Sequence, residues 1–335
     1  MKRVTDMNRR ILLAGAGVMA LMGGGFGRLS KTAAAGTRII KLGYILPKES
    51  QLGAGAAAFA KELAARTEGR LRVEEYPNSG LGGEVEMVKA MQAGTVDMGL
   101  ITGAPLPNFV PEVGAVNIPF LFTDAIHAQK ALDGPIGAEL LAKFEAKDLV
   151  ALAWGENGMR HITNSKRPIT MPDDLKGLKL RLPQSPAMLA GFKALGADVA
   201  PLPFPELYAA LETGRFDGQE NPIATIAAAK FPKVQKYLTL SGHVYDPAVF
   251  LVSKDAWEDF SPEDRDALKT AAKIGAAASR KAAAEAETKY VAQFKSEGMQ
   301  VVEQVDKAKF AIAAKDAGFD KLFDPTLIAR LHDVK

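Results

Sequence analysis

Apolar residues alternate or cluster over residues 39–46, 71–76 and 96–101, in short runs bounded by turn residues, and each run predicts a β-strand. Between them, an Ala-rich stretch reaching about Arg66 and residues 84–92 predict helices, the second stopped by Gly94, a residue suited to the left-handed position that ends a helix. This strand–helix rhythm predicts a parallel sheet with helices on its faces. Further strands are expected at 149–154, 178–182, 198–202 and 216–219, with helices between them. Residues 86–97 and 206–217 share one plan, a helix, a glycine stop and a strand carrying Asp97 or Asp217, which a duplicated α/β lobe explains. Two lobes imply a cleft. After Ser261-Pro262-Glu263-Asp264, a good helix start, Ala- and Lys-rich sequence runs to Gly298 without a breaker. That predicts a helix of about 35 residues, far above the usual length, bracing both lobes from behind; it lacks the heptad regularity of a coiled coil.

The first 35 residues stand apart. Lys2, Arg3, Arg9 and Arg10 make a basic start, residues 11–22 are apolar but too few to span a bilayer comfortably, and Ala33-Ala34-Ala35 supplies a small-residue cleavage pattern. Residues 1–35 therefore read as an export signal with the mature start near Gly36. The run from Asn8 to Leu13 resembles a twin-arginine signal, with an ordinary secretory leader as the alternative. Removing this segment takes the chain from 42 basic and 39 acidic residues to 36 and 38, a net charge of −2. The basic character belongs to the leader, so a nucleic-acid partner is not expected. With 47% hydrophobic residues and no cysteine, the remaining chain can bury a large core and has neither disulfides nor thiolate chemistry.

Enzymatic and cofactor motifs are weak. Gly53-Ala54-Gly55 followed by Glu74 and Glu75 imitates a dinucleotide fingerprint, but residues 47–52 separate the glycines from the strand; small residues that let a helix pack closely are the plainer reading. His127, His161, His243 and His332 are scattered, so no metal site is expected, and no Walker loop or nucleophile elbow is present. No cofactor is expected. Polar residues gather instead where strands are expected to end. Residues 154–161 read as a glycine-punctuated loop holding Glu156, Asn157 and Arg160. Arg181 precedes Pro183, and Asp217 to Pro222 place four polar side chains in succession. Ligands of open α/β sheets collect at such ends.

The segments 177–183, 206–211 and 217–222 together resemble the solute-binding proteins of tripartite ATP-independent periplasmic (TRAP) transporters, the DctP family, and the resemblance runs from about Ile39 to the long helix. It implies an α/β, two-lobed periplasmic binding protein fold, type II-like, with two mixed sheets, a hinge and a long bracing C-terminal helix. The lobes would comprise residues 36–157 with 246–285, and 158–245, with a helical region 286–335 packing across them. Carried over residue by residue, Arg181 matches the arginine that pairs with the ligand carboxylate, and Asn221 the asparagine that orients that pair. Arg160 matches a second arginine reaching the ligand, and Phe204 an aromatic packing on it. Glu84 falls where an acid takes hydroxyls or amino groups, while Gln51 and Lys48 occupy the first-lobe contact loop, with Asn157 beside the cleft.

A guanidinium fork fits a carboxylate in two parallel charge-assisted bonds, which lysine cannot reproduce. A dicarboxylate wants a second cation at its far end, whereas Glu84, Glu156, Asn157, Gln51, Gln184 and Gln219 suit hydroxyls. The resemblance therefore points to a hexuronate, D-glucuronate or D-galacturonate, caught in the periplasm by hinge closure and delivered to two integral membrane subunits without catalysis. A C4-dicarboxylate or other organic acid, a binding protein of an ATP-driven importer, a receptor-docking sensor and an exported enzyme are the alternatives.

Overall fold

The expected alternation begins at once in the described residues, 36–335, of the computed structural model; the export signal expected over residues 1–35 lies outside them. Strand β1 (Arg38–Gly43), helix α1 (Gln51–Arg66), β2 (Leu71–Tyr76), α2 (Glu84–Gln92) and β3 (Met98–Thr102) are followed by α3 (Ala125–Asp133), α4 (Pro135–Ala142) and β4 (Leu149–Asn164). The second half runs β5 (Lys179–Leu182), α5 (Pro186–Ala194), β6 (Asp198–Pro201), α6 (Leu207–Glu212), β7 (Gly218–Pro222) and α7 (Ile223–Ala228), then β8 (Tyr237–Ser253). Next come α8 (Lys254–Glu258), α9 (Pro262–Ser296), β9 (Gln300–Val302), α10 (Lys307–Ala314), α11 (Phe319–Leu322) and α12 (Pro325–His332).

The fold is α/β with a mixed sheet, as expected, but the two sheets are halves of one. The strand order is β2-β1-β3-β8-β4-β7-β5-β6, with β9 on β8. The cause is the length of β4 and β8, 16 and 17 residues, which pair antiparallel from one half into the other. Residues 248–252 of β8 carry β3, and residues 160–164 of β4 carry β7. The segment from Trp154 to His161, expected as a loop, stays in β4. Its glycines accommodate irregularity rather than chain reversal: the register against β8 slips between Glu156 and Gly158, and Gly158 has a φ of 130°, which side chains rarely adopt. Pro247 faces Glu156 at the same level. Both crossing strands are therefore irregular where the halves meet.

Helix α9 is the predicted brace, 35 residues long, with the Ser261 hydroxyl capping Asp264 N and Pro262 in its first turn. Ala267, Ala271, Gly275, Ser279 and Ala283 recur every four residues on its buried face, and it packs against α1, β4 and α7. Small residues allow this closeness. A β-carbon on Gly275 would lie 2.7 Å from both Gly55 O and Phe250 Cζ, and one on Gly53 would lie 2.2 Å from Lys48 O. The Gly53–Gly55 stretch thus serves packing. Gly275→Leu is expected to destabilise the fold by about 1–3 kcal/mol through overpacking; a urea midpoint equal to that of the parent would contradict a closed α1–α9 crossing.

Candidate functional site

Strands β4, β7 and β8 lie side by side, and where the two halves meet they bury Arg160, Glu220, Asn221, His243 and Asp246, each no more than 5% exposed. Charges this far from water are costly unless paired and hydrogen-bonded. Arg160 meets both conditions. Its Nε and Nη2 donate to the two Glu220 carboxylate oxygens at 2.5 and 2.8 Å, Nη2 also to Glu220 O at 2.6 Å and Asn221 Oδ1 at 3.1 Å, and Nη1 to Asp246 Oδ2 at 2.6 Å. Burial opposes the charge of Glu220, but Arg160 and His243 outweigh it and hold that carboxyl below the usual range. At Asp246 burial prevails over Arg160 and Asn157, and its carboxyl is pushed up. His243 Nε2 lies 3.0 Å from Glu220 Oε2 and Nδ1 lies 2.8 Å from Ser241 Oγ. Burial lowers the His243 pKa, with Glu220 opposing, and beside a carboxylate that can only accept, Nε2 is the donor.

Arg181, on β5, is built differently. Its Nε and Nη2 both donate to Leu202 O, at 2.8 and 2.6 Å. Although it is 3% exposed, no carboxylate lies within ion-pair distance among the described residues. Burial lowers its pKa to about 9, with Glu220 and Glu84 opposing the fall and Arg160 adding to it. Asn221, expected to orient the pair that Arg181 makes with a carboxylate, accepts from Arg160 and donates to Gln219 Oε1 at 2.5 Å. Arg160, expected to reach the ligand, is engaged by Glu220, Asp246 and Asn221. Arg160 is ion-paired with two carboxylates, whereas Arg181 bonds only a backbone carbonyl.

Asn157 closes the cluster toward α1 and α7. Its Nδ2 donates to Asp246 at 2.7 Å, while its Oδ1 accepts from Gln51 Nε2 at 2.7 Å and Thr225 Oγ1 at 2.9 Å. Gln51 Nε2 also donates to Thr225 Oγ1 at 2.9 Å, linking the two halves. Asn108 Nδ2 to Gln184 O, 2.7 Å, is a second contact between them. Glu84, in the first turn of α2, receives Thr102 N at 2.6 Å and Thr102 Oγ1 at 3.0 Å. Phe204 is half-buried with its ring 6.2 Å from Phe231. Lys48 is exposed. Glu156 does not join this group: its Oε2 accepts from Gln129 and Tyr245 at 2.5 and 3.1 Å, on the side of α3. Glu220, Asp246, His243, Thr102 and Thr225 were not singled out from the sequence. Glu220 lies within the polar run 217–222, and His243 and Asp246 sit in a strand interrupted by Gly242 and Pro247.

Burial raises the Glu84 carboxyl to about 7, with Asp246 adding and Thr102 and Arg181 opposing. Between its ordinary value of 4.5 and about 7, the folded chain holds a proton that the unfolded chain has released. Stability from this residue therefore falls as pH rises through that window and levels off above it. Glu84→Gln is expected to flatten the decline, read from urea unfolding between pH 4.5 and 8. Superimposable pH profiles for parent and variant would disprove it.

Two α/β halves joined by crossing strands, with a buried and unpaired guanidinium near their junction, have the construction of a protein that binds a small anionic solute. The chain belongs to the bacterial extracellular solute-binding protein family 7, the DctP family of TRAP solute-binding proteins, whose model matches residues 42–320. It is 37% identical over 282 residues to the 2,3-diketo-L-gulonate-binding periplasmic protein of Escherichia coli, covering 84% of this chain and 86% of that one. A TRAP periplasmic solute-binding protein from Polaromonas, solved bound to D-erythronate, is 46% identical with a TM-score of 0.87, covering 89% and 99% of the two chains. One from Chromohalobacter salexigens with bound D-glucuronate is 27% identical with a TM-score of 0.84, covering 88% and 100%. No helix among the described residues is long and apolar enough to cross a membrane.

Proposed function

We propose that this protein captures a monocarboxylate sugar acid between its halves in the periplasm and delivers it to the integral membrane subunits of a TRAP transporter. The class comprises the hexuronates D-glucuronate and D-galacturonate and the open-chain aldonates. The observation that carries this reading is the contrast between the arginines: Arg160 is committed to Glu220 and Asp246, whereas Arg181 is buried without a carboxylate partner. One free fork suits one carboxylate, and a dicarboxylate would need a second. Glu84, fixed by Thr102, and the amides around Gln219 offer partners for hydroxyls. Relatives bound to D-erythronate and D-glucuronate support the class. Contacts such as Gln51–Thr225 and Asn108–Gln184 are of the kind a closing hinge would make and break.

The test is a thermal-shift panel of uronates, aldonates, keto acids and succinate on the chain from Gly36 onward. A solute at one hundred times its dissociation constant adds about 2.7 kcal/mol of stability. Sugar acids are expected to give the largest shift, recovered chemically unchanged. A larger shift with succinate would transfer the assignment to dicarboxylates, and turnover of the bound acid would favour the enzyme reading.

A further inference from the structure

On the side of β4 away from β8, β7 pairs only residues 160–164, so residues 149–157 have no strand neighbour there among the described residues. Helices α4 and α9 stand on either side of this open edge. Cavities of about 480 and 550 Å³ meet at Ala138 and Leu141, making one groove whose floor is the stretch from Leu149 to Trp154. An open edge invites strand addition, but this one is blunted. The register slips between Ala151 and Ala153, Arg280 Nη2 donates to Trp154 O at 3.0 Å, and Glu156 N donates to Ser279 Oγ at 3.0 Å. Bulges and covered edge groups are what keep strands from adding. Side chains, not a ladder, therefore select what lies in the groove.

The α9 wall carries Arg265, Lys269 and Lys273 at every fourth position, about 6 Å apart along the axis, with Arg280 beyond them. Lys269 and Lys273 are exposed. Lys273 has no ion-pair partner among the described residues, and Lys269 has only Asp266, at 3.9 Å. Of the acids on the groove, Asp133 is held by Arg280 at 2.7 Å, while Glu145 and Glu258 lie toward the α8 end with Lys254. The opposite wall offers Ala138, Leu141 and Ala142, low enough for a helix backbone to approach. An apolar floor, a low apolar wall and a cation row with helical pitch match the helix-in-groove mode of recognition. We propose that this groove docks an acidic amphipathic helix of a protein partner, its apolar face on the floor and a carboxylate every fourth residue against Arg265, Lys269 and Lys273.

Both tryptophans of the chain, Trp154 and Trp257, line the groove, so their emission reports occupancy without a label. The experiment titrates the chain from Gly36 onward with a synthetic helical peptide bearing leucine and alanine on one face and glutamate at every fourth position. A control peptide carries lysine in place of glutamate. The glutamate peptide is expected to change the emission saturably and more weakly at high salt. Lys269→Glu combined with Lys273→Glu should weaken binding at least about tenfold and leave the sugar-acid thermal shift unaltered. The proposal is overturned by an unchanged emission up to millimolar peptide, or by an equal response to the lysine peptide. It is equally overturned if only anionic phosphatidylglycerol vesicles respond, or if sedimentation shows that the double substitution acts by dissolving a dimer of this chain.

Discussion

Arg181→Ala is expected to weaken sugar-acid binding by about 3–5 kcal/mol, the cost of stranding a desolvated carboxylate, or about two to three and a half orders of magnitude in affinity. The guanidinium is already fixed by two bonds to Leu202 O and buried before any solute arrives, so little ordering is left for binding to impose. Arg181→Lys should restore the charge but not the planar fork, and so recover only part of the loss. Folding gives an independent control. In the solute-free protein Arg181 has no ion pair to lose, and burial works against its charge. Alanine should therefore lower the solute-free melting temperature only by the loss of the Leu202 bonds and side-chain packing, well short of the Arg160 effect, while removing the solute-induced shift. Titration calorimetry showing full affinity in the lysine variant would remove the bidentate role; a solute-free melt that collapses in the alanine variant would show Arg181 to be a strut like Arg160.

Much of this arrangement was legible because it rests on local signals. The duplicated helix–glycine–strand plan marked two α/β halves, and Ser261-Pro262 with the unbroken run behind it marked α9 to within two residues at its end. Strand β2 was placed at its observed limits. The crossing strands were not legible, for one physical reason. In β8, Gly242, His243, Asp246 and Pro247 interrupt the apolar pattern, and in β4 the polar run from Glu156 to Arg160 reads as loop. Their polar side chains are nonetheless buried, because β4, β7 and β8 supply one another's hydrogen-bond partners across the junction. Periodicity measures a side chain's affinity for water and cannot register a partner contributed by residues 60 or more positions away, as Glu220 and Asp246 are from Arg160.

The same blindness leaves the different partners of the two arginines unread in the sequence. Arg160 and Arg181 both sit on strands beside polar runs, and nothing local separates them. What does is the register, which sets Ile162 opposite Glu220 and Gly158 opposite Asp246, bringing two carboxylates onto Arg160 and none onto Arg181.

Arg160→Met is expected to destabilise the protein by about 3–5 kcal/mol, because it leaves two buried carboxylates without their cation. Glu220 and Asp246 are both 0% exposed and cannot turn to water. The pH dependence should carry the signature. In the parent, Glu220 is held below the usual carboxylate range, so it contributes stability above the unfolded value that is lost only as pH falls through the lower folded one. Without Arg160, burial alone governs Glu220, and both carboxyls shift upward. Folding then favours their protonated forms, and the deficit of the variant should shrink as pH falls from 8 toward 5. Adding Glu220→Gln to Arg160→Met replaces one stranded charge by a neutral amide that can still accept from His243, and should recover part of the loss at pH 8. Urea unfolding of parent, single and double variants at both pH values checks this. A deficit that is the same at pH 5 and pH 8, or a double variant no better than the single, would mean that lost packing of the arginine side chain, not the ionic cluster, accounts for the effect.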